Sequence, residues 1–398
     1  MPLLHATTLP VTRYWRAQCT TLSLPLIAGI IVFGWRGLIA VALVLGGAMA
    51  VFGLWRLAGR PWNELRPMHT LWLGLLTACL VPADPIAVGG WIGAGVLLAC
   101  GVLTALLAWL LGGIDAGNRG IRVQPSVLVS LAATVGLGSL MTPTLVLERR
   151  SAVLGDLADV APEAPGRLVS EPWLSRNSMD NHAATVVRPA GAVLKQYTRR
   201  TTTETGEEVV GRRATMASVL RDRMPPMEDL IILGHPRRLG MASVIALIAA
   251  GMFLLYRGIS DVRVTILTLV SAYAAFALLP VPAVVSTEGG GAIWTWGLGL
   301  GGVGEGARHV GWDVGLTFVH YEMLAGSVVF IAMVLAPVPS VRPLVGKWRV
   351  LWALMLGPAM VVAQRYLGAQ IGPMVALLIL TLLCPLTDRL VKARPLIK

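Results

Sequence analysis

Hydrophobic and polar positions in this chain fall in blocks rather than alternating residue by residue. Apolar runs cover about 22–35, 38–55, 71–81, 87–111 and 127–141, separated by short polar joints. The polar stretch 143–238 follows, with 14 Lys/Arg and 12 Asp/Glu, and then five more apolar runs at 240–255, 264–279, 319–335, 350–363 and 371–386. Blocks of this kind predict helices. At about 1.5 Å rise per residue they approach the roughly 30 Å of a bilayer core, and a helix satisfies its own backbone groups there. Strands of a membrane barrel alternate with period two instead. The run 289–302 is rich in glycine and carries Trp294 and Trp296. Too short to span, it reads as re-entrant or interfacial, where tryptophan is favoured.

The expected fold is therefore an all-α polytopic membrane protein of about ten transmembrane helices, arranged as two five-helix inverted repeats. Residues 1–142 form the first membrane repeat, 143–238 an extramembrane loop, and 239–398 the second repeat. Composition agrees: 55% of the 398 residues are hydrophobic and 14% charged, with mean hydropathy +0.71. Soluble domains carry about 25% charged residues. The net charge of +12 does not point to nucleic acid, because the basic residues are dispersed among short connections rather than gathered on one module. Cys19, Cys79, Cys100 and Cys384 are scattered, lack the close pairing of metal or disulfide frameworks, and read as packing residues. The N-terminal stretch has Arg13 and Arg16 but no small-residue cleavage site after the apolar run, so it is expected to be retained.

With a cytoplasmic N-terminus, ten helices put 16 Lys/Arg in the cytoplasmic connections and tails, and only Arg36, Arg308 and Arg365 in the opposite short connections. The positive-inside rule then places both termini in the cytoplasm and the long loop in the periplasm, across a bacterial inner membrane. A repeat is visible as well. Ile27-Ala28-Gly29 with Trp35-Arg36-Gly37-Leu38 is echoed by Ala249-Ala250-Gly251 with Tyr256-Arg257-Gly258-Ile259, and Pro125-Ser126-Val127 by Pro373-Met374-Val375. Units with an odd number of spans insert with opposite topology, an arrangement that builds polar sites near the midplane. Chance recurrence of short apolar strings is the alternative.

Several strings in their order along the chain resemble the RnfD/NqrB family, the flavin-bearing membrane subunit of Rnf complexes and of the sodium-translocating NADH:quinone reductase. They run from Pro25-Leu26-Ile27-Ala28-Gly29 and Phe33-Gly34-Trp35-Arg36 through Trp72-Leu73-Gly74-Leu75-Leu76, Leu111-Gly112-Gly113 and Gln124-Pro125. Pro225-Pro226-Met227-Glu228-Asp229-Leu230, Leu254-Leu255-Tyr256-Arg257-Gly258 and Cys384-Pro385-Leu386-Thr387-Asp388-Arg389 complete the series. The resemblance implies a subunit that relays electrons between flavins while its complex moves Na⁺ or H⁺, with the complex's other subunits and membrane lipid as partners. Members commonly carry FMN through a phosphoester to the threonine of a Ser-Gly-Ala-Thr motif outside the membrane. The matching stretch here is Arg212-Arg213-Ala214-Thr215. Thr215 is thus the implied covalent FMN site, with Arg212 and Arg213 suited to holding the phosphate bidentately. The two cations replace a small pair that would ease a transferase's approach. A solvated loop threonine is the alternative. The family's Asp-Pro after the eighth segment appears as Leu335-Ala336-Pro337, and its asparagine-rich turn as Gly120-Ile121-Arg122-Val123-Gln124-Pro125.

Glu322 in the eighth segment and Asp84 in the bend Pro82-Ala83-Asp84-Pro85 are ionisable groups beside apolar runs, and hence candidates for an ion path. His69 and His320 each open an apolar segment and read as capping or interfacial residues. Gly297-Leu298-Gly299-Leu300-Gly301-Gly302 lacks the strand and helix that would make it a dinucleotide fingerprint. No Ser-His-Asp, Walker or zinc pattern is present. A second functional reading stays open: a divergent flavin-free homologue acting as a membrane scaffold or as a urea/ammonium-channel-like solute pore.

Overall fold

The computed structural model describes residues 11–59, 67–83, 85–111, 123–141, 145–147, 185–187, 231, 238–285, 292–298, 312–343 and 346–392. Helices dominate them. The longer ones are α1 (Val11–Phe33), α2 (Trp35–Leu57), α3 (Pro67–Leu80), α4 (Pro85–Leu110), α5 (Pro125–Gly136), α6 (Val244–Tyr256), α7 (Val262–Leu278), α8 (Trp312–Ala325), α9 (Gly346–Leu367) and α10 (Gly372–Lys392). A short helix Val328–Phe330 and a π-helical turn Ile331–Leu335 lie between α8 and α9.

By length and composition, four helices can cross a membrane: Arg13–Phe33, Trp35–Leu57, Gly89–Leu110 and Gly346–Leu367. A fifth is added if Gly315–Ala325 and Val328–Leu335 count as one broken span, and shorter apolar helices accompany them. Exposure supports the same conclusion. On α1, Trp15, Leu22, Leu26 and Phe33 are buried while Ile27 and Ile31 are 53% and 68% exposed. A helix apolar all round, with one face packed and the other open, is what lipid contact requires. The protein is a mostly helical, multi-pass membrane protein.

The chain divides into two compact units. One contains Met1–Pro143, Arg237–Ala272 and Ser327–Lys398; the other contains Thr144–Pro236 and Tyr273–Gly326. In the first unit α2 lies along α4 so closely that Gly47 faces the Leu98–Val102 backbone and Gly101 faces the Val44–Ala48 backbone. A methyl group at either position would meet main chain. Small residues let membrane helices approach in this way, since lipid removes the hydrophobic drive to associate. Gly90, at φ 53°, breaks α4 near its start, a backbone conformation that glycine alone adopts readily.

In the second unit, β3 (Pro280–Val285) pairs antiparallel with β4 (Ala292–Trp296), in register from Pro280↔Trp296 to Val285↔Ala292 with an irregularity between Pro282 and Val284. The stretch expected to be re-entrant or interfacial is therefore in part the second arm of a hairpin. Its Ile, Thr and Trp residues favour a pleated surface, and prolines that cannot donate are tolerated in a two-stranded ribbon. A smaller pair, β1 (Leu145–Leu147) with β2 (Thr185–Val187), lies in the long polar stretch. Helix α1 begins eleven residues before the apolar run that predicted it, and α8 seven residues before. Arg13, Arg16, Gln18 and Asp313 dilute hydropathy without breaking a helix.

Candidate functional site

Three helices of the first unit are too short to cross a membrane alone. Helices α3, α5 and α6 have 14, 12 and 13 residues, or about 18–21 Å against a core of roughly 30 Å. Their polar ends must therefore find partners inside protein. The chain enters α6 through Arg238 and a 3₁₀ turn, Leu239–Met241, wedged against α1 and α3. Arg238 bridges Pro82, and the Leu239 N–H donates to the Val81 carbonyl at 3.0 Å. Gly29 on α1 leaves room for the Leu239 carbonyl, and a Cβ on Gly240 would collide with Cys79 of α3. Gly29 lies four residues before the end of α1, so the wedge sits about 6 Å inside that end.

The wedge carries Arg238 into the core, where it is fully buried. One terminal nitrogen, Nη1, donates to the Leu80 carbonyl and to the Ser130 hydroxyl. The other, Nη2, donates to Thr134 Oγ1 at 3.1 Å and, more loosely, to the Gln370 carbonyl at 3.5 Å. Nε is buried and has no partner among the described residues. The acceptors are themselves organised: Ser130 donates to the Leu80 carbonyl at 2.8 Å, and Thr134 to the Ser130 carbonyl at 2.7 Å. Ser126, Ser130 and Thr134 recur every four residues on α5, which places them on one face, and Ser126 donates to the Leu73 carbonyl at 3.1 Å. Leu80 ends α3, and Gln370 lies just past the end of α9 at Leu367. Leu80 thus sits at a carbonyl-rich terminus, the negative end of a helix dipole, whereas Gln370 lies in the short connection that leads into α10 at Gly372. Burying a cation costs several kcal/mol, and hydrogen bonds from a charged donor return roughly 1.5–3 kcal/mol each.

A second polar cluster of the same unit joins two residues in connections, Asp261 and Arg342, to Arg349 in the first turn of α9. Asp261, between α6 and α7, receives Arg342 and Arg349 on one oxygen, both at 2.7 Å. Its other oxygen accepts the Arg263 N–H at 3.2 Å. Burial works to raise the Asp261 carboxyl, but the hydrogen bond from Arg349 and the charge of Arg342 outweigh it and hold the group below the usual aspartate range. Arg342 is lowered by burial first and by the charge of Arg349 second, against the pull of Asp261.

Thr215, Arg212, Arg213 and Asp84 lie outside the described residues. Glu322 lies ten residues into α8, half-buried, because that helix starts at Trp312. His320 is likewise mid-helix, its Nδ1 2.8 Å from the Leu316 carbonyl and its ring 5.6 Å from that of Tyr273. His69 is buried, with its ring 4.6 Å from that of Trp15 and 5.9 Å from that of Trp72, in an aromatic cluster at the start of α3. Among the described residues no group of three His, Cys, Asp or Glu could hold a metal ion, and none of the four cysteines is in a disulfide.

Arg238 was not singled out by sequence, because it closes a polar loop and reads as one more basic loop residue. The usable signal was on α5, where a serine–serine–threonine stripe crosses an apolar helix. Compared with known proteins, residues 178–396 match the model of a family described as NQR2, RnfD, RnfE. No curated protein matches.

Proposed function

Since the chain belongs to the NQR2, RnfD, RnfE family, we propose that it is a membrane subunit of an Rnf/Nqr-type ion-translocating electron-transport complex that relays electrons through FMN held at Thr215. The observation that carries this reading is the extent of the family match, 178–396, which includes Arg212-Arg213-Ala214-Thr215. The donor set has the right chemistry: a hydroxyl able to form a phosphoester, and two guanidinium groups matched to phosphate oxygens. Bound FMN supplies the one- and two-electron steps, while the chain supplies position and a low dielectric. The partners are the complex's other subunits, since neither a nicotinamide fingerprint nor a cysteine framework for iron–sulfur is present in the sequence.

The same reading takes the helices as ten spans in two five-helix inverted repeats, 1–142 and 239–398, with 143–238 periplasmic and both termini cytoplasmic. Glu322 and Asp84 are the ionisable residues assigned to an ion path for Na⁺ or H⁺. The bulk of Arg212-Arg213 favours the second reading, a flavin-free scaffold or urea/ammonium-channel-like pore.

In-gel flavin fluorescence of the denatured chain, coexpressed with a flavin transferase, separates the two. Fluorescence in the wild type that vanishes in Thr215→Val is the expected result. A dark wild-type band removes covalent flavin and leaves the scaffold or pore.

A further inference from the structure

The partners of Arg238 are unusual for a buried guanidinium. Arginine away from water normally meets a carboxylate or phosphate, whose counter-charge helps to offset the desolvation of the cation. Among the described residues Arg238 meets none. Its partners are two backbone carbonyls, Leu80 and Gln370, and two hydroxyls, Ser130 and Thr134. These are hard, neutral oxygens, and the two hydroxyls are held by hydrogen bonds that do not involve the arginine. The Leu80 carbonyl lies at the carboxyl end of α3 and the Gln370 carbonyl in the connection between α9 and α10, and carbonyls at helix ends and in unwound connections are the groups from which membrane transporters build monovalent cation sites. Divalent ions would call for carboxylates.

We propose that Arg238 is a tethered cation seated in an oxygen site which, without it, takes a hydrated monovalent metal ion such as Na⁺. The tether is short. Arg238 is fixed through its bridge to Pro82, and the next residue is held by the Val81 carbonyl and the close approach of Gly29. The guanidinium therefore cannot leave while α3 and the wedge stay together, and the site is closed to mobile ions. Its permanent charge also repels cations approaching along the carboxyl end of α3. Arg238 thus determines specificity by exclusion: cations moved by this chain travel elsewhere. This inference stands apart from flavin attachment, and a dark wild-type band in the fluorescence experiment leaves it untouched.

The test uses the full-length chain in detergent. Thermal unfolding is followed in NaCl, LiCl, KCl and choline chloride at equal ionic strength, alongside equilibrium dialysis with radioactive sodium. The wild type is expected to have one Tm in all four salts and to bind no sodium at this site. Arg238→Ala is expected to melt lower in choline and to recover saturably in Na⁺ by about 4 °C or more, with about one sodium bound per chain. Adding Ser130→Ala to that variant removes both effects, and Arg238→Lys behaves as wild type.

An Arg238→Ala protein that melts identically in every salt and binds no sodium overturns the proposal and leaves Arg238 as a strut. So does a wild type that gains as much from Na⁺ as the variant. Should Arg238→Ala yield no folded protein, Arg238→Gln is measured in its place. Loss of folded protein for both variants in every salt shows that no ion can replace the guanidinium, which also overturns the proposal.

Discussion

Two buried arginines of the same unit solve the same problem in different ways. Arg342, with its side chain 6% exposed, shares one carboxylate oxygen of Asp261 with Arg349, at side-chain exposures of 19% for the aspartate and 24% for the second arginine. Arg238 is fully buried and spreads its charge over four neutral oxygens. The difference follows from access to water. In a connection between helices, an aspartate can be solvated on one side while it binds two cations. Deep among helix ends a carboxylate would itself have to be desolvated, and helix-terminal carbonyls, already oriented, stabilise the cation without a second buried charge. The first cluster therefore loses its ion pairs in acid and the second does not.

The largest effect should come from removing the cation that no carboxylate among the described residues balances. Arg238→Met keeps much of the volume but leaves the Gln370 carbonyl and the hydroxyls of Ser130 and Thr134 to re-pair. A loss of about 3 kcal/mol is expected, from four charge-assisted bonds partly recovered by rearrangement. Denaturant unfolding in detergent in the absence of sodium measures it, and a loss below that of Asp261→Asn would reverse the comparison.

Next comes the support of the wedge. Gly29→Ala sets a methyl group against the Leu239 carbonyl, a main-chain atom that cannot step aside, and should cost about 1–3 kcal/mol. Its counterpart in the sequence echo, Gly251→Ala, meets the Met333 sulfur at 2.7 Å, the flexible part of a side chain, and should cost less than about 1 kcal/mol. Equal losses would show that the wedge is not rigid.

Asp261→Asn leaves Arg342 and Arg349 facing each other and should cost about 1–2 kcal/mol near neutral pH. Because the folded carboxyl titrates below its ordinary value, its stabilisation is present above the unfolded pKa of about 3.9 and is lost as pH falls through the lower folded value. Unfolding curves of wild type and Asp261→Asn should converge over that acid range, while the gap between wild type and Arg238→Met stays open. A smaller effect than that of Asp261→Asn, about 1 kcal/mol, is expected for Thr134→Val, which removes one acceptor and leaves the other three. A loss as large as that of Arg238→Met would mean that Thr134 alone carries the site.

How much of this was legible depends on the range of the interaction. Each apolar run falls on helical structure, though the run 319–335 is broken between Ala325 and Val328, because hydropathy over a window reports where a backbone must satisfy itself. Helix starts were less visible: Arg13, Arg16 and Gln18 in α1 are polar yet helix-compatible, so pattern alone placed the start too late. The hairpin through Pro280–Val285 and Ala292–Trp296 was hidden by the glycines around it. Gly29 and Gly251, noticed as an echo, both sit at close contacts, but the echo could not tell that one faces backbone and the other a methionine. The assignment of FMN to Thr215 rests on a motif, and the residue lies outside the described residues.

By itself the sequence determined that this chain is helical and lives in a membrane, and through local strings it determined the family. Those properties follow from composition and from windows of about twenty residues, the length a bilayer imposes. The surroundings of Arg238 were decided only by tertiary structure, since its partners lie 158, 108, 104 and 132 residues away along the chain. A basic residue at the end of a polar loop has no local signature that separates a solvated surface from a buried seat. Only the packing of α1, α3 and α5 around the wedge removes the water, and removal of water is what turns an ordinary arginine into a fixed charge.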